Sequence, residues 1–131
     1  MAAREKGDAS GRGLIASVAV TILEVESEER DGLAHVALRG ELDLSTVSKV
    51  QDELGRVEAS GPRVVVLDLS HLSFLDSTGL RCVITAAERA REAERRFVVV
   101  RGPDPVQRVF SITRLEDRLE MVDDVSAVEQ T

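Results

Sequence analysis

A chain of 131 residues with a formal net charge of −7, 43% hydrophobic and 31% charged residues has the length of one domain and too much apolar content to stay disordered. Its acidity and its lack of tryptophan and tyrosine leave a nucleic-acid-binding role with neither phosphate attraction nor a stacking platform. The single cysteine, Cys82, excludes an internal disulfide, and with His35 and His71 it makes no metal-spaced cluster.

Residues 1–16, rich in small and charged residues without apolar periodicity, read as a flexible N-terminal extension, and residues 17–131 as one domain. The run from Leu14 to Val20 is shorter than the about 20 apolar residues of a membrane span. Glu5 and Asp8 spoil the basic flank that a signal peptide needs. A cytoplasmic location without membrane contact is the expectation. The first strand is expected over residues 17–26, from β-branched Val18, Val20, Thr21, Ile22 and Val25. Asp31-Gly32 is a hairpin-turn pair. Leu33 to Arg39 should return antiparallel, with Ala34, Val36 and Leu38 on one face and His35, Ala37 and Arg39 on the other.

After Gly40 the spacing of Val47, Val50, Leu54 and Val57 predicts a helix, with Asp43 or Ser45 able to cap its start. Gly61-Pro62 ends it. The almost unbroken apolar run from Arg63 to Leu69 predicts a strand covered by helices on both faces. Leu80, Val83, Ile84 and Ala87 form the stripe of a second helix, with Arg81, Glu88, Arg89 and Glu92 turned outward and Cys82 a small buried residue. Phe97 to Val100 is another buried strand. Beyond Gly102-Pro103, Asp104 reads as an N-cap with Pro105 at the first helical position, and Val106, Val109 and Phe110 as the stripe of a third helix. A short strand at Glu120 to Val122 and a C-terminal helical turn or two complete an α/β sandwich. It has a mixed central sheet of about four to five strands, an initial antiparallel hairpin and about four helices.

The strand-to-helix junctions at Gly40 to Asp43, Ser70 to Gly79 and Gly102 to Pro105 should share the carboxyl pole of the sheet, where α/β folds place ligand sites. In the middle junction Asp76-Ser77 stands before a helix whose first amides favour negative charge. Ser77 there is suited either to carry a phosphate or to serve as a plain helix cap.

The combination of Leu38-Arg39-Gly40-Glu41-Leu42-Asp43, Val65-Val66-Leu67-Asp68-Leu69-Ser70, Phe74-Leu75-Asp76-Ser77-Thr78-Gly79-Leu80 and Asp104-Pro105-Val106-Gln107-Arg108-Val109-Phe110 resembles the STAS domain family, specifically bacterial anti-sigma factor antagonists. It covers about residues 20–125. The resemblance implies a STAS-like sandwich that is not an enzyme and needs no cofactor or metal. It implies that Ser77 is phosphorylated by a partner anti-sigma factor, itself a serine kinase of the histidine-kinase-like ATPase fold, with Thr78 the secondary candidate. Unphosphorylated, such an antagonist binds the anti-sigma factor and releases the sigma factor, and a phosphatase would reset it. Asp43, Asp76, Ser77, Thr78 and Gly79 are the implied partner-binding residues, although Asp43 and Asp76 also read as caps. An alternative within the family is an interaction scaffold of a stress-signalling assembly.

Readings from other classes fit less well. By resemblance a phosphoacceptor receiver domain built around Asp68 would need an early acidic pair and a late lysine, and the only lysines are Lys6 and Lys49. A serine hydrolase would need a Gly-x-Ser-x-Gly elbow around Ser77, but Leu75 stands where the first glycine belongs. His35 and His71 are then a sheet-face residue and a loop residue, not general bases.

Overall fold

The turn at Asp31-Gly32 sets the register from which the sheet grows. In the computed structural model, which describes residues 23–129, Asp31 and Gly32 have φ of 55° and 83°. Two consecutive positive φ angles match the right-handed twist of the flanking strands, as a tight hairpin requires. Strand β1 (Glu24–Arg30) pairs antiparallel with β2 (Leu33–Leu42), which lies parallel to β3 (Val64–Leu75), β4 (Arg96–Val100) and β5 (Glu120–Val122) in the order β1-β2-β3-β4-β5. Between the strands run α1 (Val47–Ala59), α2 (Ser77–Glu92) and α3 (Asp104–Thr113). A 3-10 turn (Leu115–Arg118) precedes β5, and a short α4 (Ser126–Glu129) follows it.

The layers are unequal. Ala34, Val36 and Leu38 of β2, Val65, Leu67 and Leu69 of β3 and Val99 of β4 pack on one side with buried residues of α1, α2 and α3. The opposite face buries Val64, Val66, Val98 and Val100 against Val128 of α4, with Leu33, Val122 and Val125 alongside. The expected helices on both faces are therefore three long ones on one side and, among the described residues, a single turn on the other. No helix among them is long and apolar enough to cross a membrane.

The expected boundaries shift in instructive ways. The extension expected over residues 1–16 and the strand residues 17–22 lie outside the described residues, while the strand itself continues to Arg30. Strands β2 and β3 run on past Arg39 and Leu69 to Leu42 and Leu75, because Leu42, Leu72 and Leu75 still bury their side chains after the polar interruptions. His71 is thus an exposed strand residue, not a loop residue. The N-cap position of α1 is Thr46 and that of α3 is Pro103, one residue before the expected Asp104, with Pro105 still in the first turn.

Helix α2 meets the core through Gly79, Leu80, Cys82, Val83, Ala86 and Ala90, while Ile84 and Ala87 are only half-buried. The buried stripe is rotated from the expected one because the small residues let the helix settle closely on its neighbours. Cys82 is a buried free thiol, and burial raises its pKa. On the flank, Arg89 grips Glu58 of α1 with both Nε and Nη2, the latter at 2.8 Å.

Candidate functional site

Strands β2 and β3 are parallel and end in register at Leu42↔Leu75, so the loops that leave them meet at one pole. Asp76 joins the two. It is the N-cap of α2, with extended backbone (φ −104°, ψ −175°), and its Oδ1 accepts the Gly79 amide at 2.9 Å. Its Oδ2 accepts the Leu44 amide across the gap at 3.2 Å, and its own amide donates to the Leu42 carbonyl at 3.2 Å. One carboxylate therefore ties the β2–α1 loop to the start of α2.

Asp43 organises that loop from within. Its Oδ1 accepts from the Ser45 amide at 2.9 Å and the Ser45 hydroxyl at 2.7 Å, and its carbonyl accepts from the Thr46 and Val47 amides. The Ser45 hydroxyl bond is the main reason the Asp43 carboxyl sits below its usual pKa. Asp43 thus shapes the turn into α1 without being its N-cap, and Ser45 is a partner of that turn.

Ser77 is the first residue of α2 and exposed, and its hydroxyl makes no hydrogen bond among the described residues. The capping alternative for Ser77 is corrected: Asp76 fills that role. Thr78 is half-buried. Gly79 is buried, and a Cβ there would lie 2.7 Å from Leu75 Cδ1 and 2.8 Å from the Leu42 carbonyl oxygen. The helix start rests directly on the end of β2.

Beside these residues lies a shallow cleft lined by Asp43, Leu44, Ser45, Phe74 and Asp76. Leu44 is 74% exposed and Phe74 46%, two of three large hydrophobic side chains so exposed among the described residues. Sequence reasoning missed both. The spacing hid them: Leu44 stands three residues before Val47, as if continuing the stripe of α1, and Phe74 stands two residues after buried Leu72. The third junction does not join the cleft. Gly102 is packed against Val106 and the Leu69 carbonyl, well before the end of β3.

The remaining polar candidates gather elsewhere, on the face of α4. Asp68 is buried, accepting from His35 Nε2 at 2.9 Å and from the Ser70 amide and hydroxyl at 3.0 and 2.7 Å. Burial acts to raise its pKa, but the Ser70 and His35 bonds outweigh it and hold the carboxyl below its usual range. His71 Nδ1 lies 3.3 Å from the Ser70 hydroxyl. Neither histidine hydrogen-bonds Ser77 among the described residues, and no group of three metal-ligating side chains forms there.

The chain is 27% identical over 99 residues to the anti-sigma-B factor antagonist of Staphylococcus aureus, covering 76% of this chain and 92% of that protein. It is 33% identical over 86 residues to the anti-sigma-F factor antagonist RsfB of Mycobacterium tuberculosis, covering 66% of each. A crystal structure of an anti-sigma factor antagonist from Mycobacterium paratuberculosis superposes with a TM-score of 0.75 at 28% identity, over 82% of this chain and 92% of that one. The profile of the STAS domain matches residues 24–128, which embrace the whole sheet and the Asp76–Ser77 junction, and the chain belongs to the STAS domain family.

Proposed function

We propose that this protein is an anti-sigma factor antagonist that binds an anti-sigma factor when unphosphorylated and is switched off by phosphorylation at Ser77. The carrying observation is that an exposed serine opens α2 beside a cleft that combines two carboxylates with two exposed apolar side chains. The names of the relatives support the same reading. The partner is a serine kinase of the histidine-kinase-like ATPase fold, Thr78 is the secondary acceptor, and a phosphatase restores the unmodified state in the cytoplasm. Leu44 and Phe74 supply the desolvated centre of the interface, with Asp43 and Asp76 as acidic groups at its edge. Gly79 contributes by seating the helix.

The magnitudes favour a switch that leaves the fold intact. A phosphate of nearly two negative charges at a helix N-terminus gains about 0.3–1 kcal/mol from the free amides. At a closed interface the same dianion is stripped of water beside Asp76, at a cost of about 3–5 kcal/mol when unpaired. The second effect wins. It amounts to a loss of affinity of more than about a hundredfold.

Mass spectrometry after incubation with the partner kinase and ATP tests the acceptor: modification confined to residues other than Ser77 and Thr78 would reject the reading. In titrations with the same partner, Ser77→Ala binds as the unmodified protein does and Ser77→Asp binds weakly. Equal affinities would refute the charge mechanism.

A further inference from the structure

The pole opposite Ser77, where the parallel strands begin, carries a second cleft. Its base is a single transverse row, Arg30↔Leu33↔Val64↔Arg96, read from the pairing of β1 with β2, β2 with β3 and β3 with β4. Residues opposite one another in adjacent strands project to one face, so two arginines bracket two apolar side chains. Val128 of α4 packs in the same cluster as Leu33 and Val64. Arg63, one residue before β3, adds a third guanidinium. Together with Asp31 these residues line a cleft of about 350 Å³.

The geometry of the cations is partly fixed in advance. Arg63 Nη2 donates to the Asp31 carbonyl at 2.8 Å, and its guanidinium lies over Gly32, where a Cβ would come within 2.9 Å of Nε. Arg96 is held by Glu120 through Nε at 3.0 Å and through Nη2. Three strand spacings of about 4.8 Å place the backbones of Arg30 and Arg96 roughly 14 Å apart, with room for a ring-sized body between their side chains. Among the described residues, three guanidiniums stand here with the carboxylates of Asp31 and Glu120, in a chain whose net charge is −7. Arginine forks match the oxygens of carboxylates and phosphates, and an apolar floor gives such a ligand something else to bury.

We propose that this cleft binds a small organic oxyanion, a phosphate ester or a carboxylate, with its charge on Arg30, Arg63 and Arg96 and its apolar body on Leu33, Val64 and Val128. The site is remote from the Ser77 surface and stands whether or not Ser77 is phosphorylated.

The test is titration of the ¹⁵N-labelled full chain with phenyl phosphate, benzoate and inorganic phosphate in turn, following amide chemical shifts. Saturable shifts are expected at Leu33, Val64 and Val128, with the preferred ring-bearing probe about tenfold tighter than inorganic phosphate. The tighter of phenyl phosphate and benzoate identifies the anionic group. Arg30→Gln, at an exposed strand end, and Arg63→Gln should each weaken binding at least about fivefold, and Arg63→Lys by less. Absence of saturable shifts at these amides with every probe, or shifts unaltered in Arg30→Gln, would overturn the site. Equal affinity for inorganic phosphate and both ring-bearing probes would overturn the apolar floor.

Discussion

Gly79→Ala sets two effects of opposite sign against each other at the start of α2. In an open helix the substitution stabilises by about 0.5–1 kcal/mol, because alanine loses less backbone freedom than glycine. Here the new methyl would lie 2.7 Å from Leu75 Cδ1, 2.8 Å from Leu42 Cγ and 2.8 Å from the Leu42 carbonyl oxygen. The Leu75 methyl can turn aside. The Leu42 carbonyl is held by the Asp76 amide, so the helix end must lift instead, an overpacking cost of about 1–3 kcal/mol. Overpacking should win, with a net loss of about 1–2 kcal/mol and a melting point lower by roughly 3–8 °C. Urea unfolding followed by circular dichroism, together with a thermal scan, measures both. An unchanged or raised midpoint would refute the claim that the Ser77 end of α2 is seated on the end of β2.

Asp76→Ala removes both the cap on Gly79 and the tie to Leu44, and should cost about 1–3 kcal/mol in urea unfolding. Asp76→Asn, with one amide oxygen left to accept, should fall between it and the native protein, and a loss equal to that of Asp76→Ala would argue against two separate ties. Leu44→Ala and Phe74→Ala should each leave stability within about 0.5 kcal/mol, since the side chains are exposed. In titration calorimetry against the proposed partner kinase each should weaken binding by about tenfold or more, and unaltered affinity would remove them from the proposed interface. Asp68, whose carboxyl is held below its ordinary pKa of 3.8, contributes stability above that value that is lost as pH falls through its folded pKa. Asp68→Asn should therefore flatten the acid limb of a stability-against-pH curve, and an identical limb would assign the acid loss to other groups.

The parts of the fold that were legible in the sequence are those where one local pattern has one cause. Asp31-Gly32 announced the hairpin because few other residues accept two positive φ angles. Val50, Leu54 and Val57 marked α1 because its buried face is apolar throughout. Where patterns overlap, the reading stopped short. Ser70 and His71 interrupt the apolar run of β3, yet pairing with β2 carries the strand to Leu75. In α2 the buried face is built from glycine, cysteine and alanine as well as leucine and valine, so larger Ile84 drew the stripe away from it. In the site, Asp43, Asp76 and Ser77 stood out as polar residues at a strand-to-helix junction. That Asp76 reaches across to Leu44 depends on the parallel pairing of β2 and β3, which no spacing along the chain records.

The small residues of α2 limit how far any signal at Ser77 can travel. Gly79, Cys82, Ala86 and Ala90 are buried on its inner side, and Arg89 is clamped to Glu58 of α1 on its flank. A helix packed this closely resists sliding or tilting when its first residue gains charge. A modification there acts like paint on a wall: it changes what the surface presents while the wall stays where it was. On that packing, a protein that senses a phosphate proposed at Ser77 would do so by touching it, with little of the change relayed to a distant face of the domain.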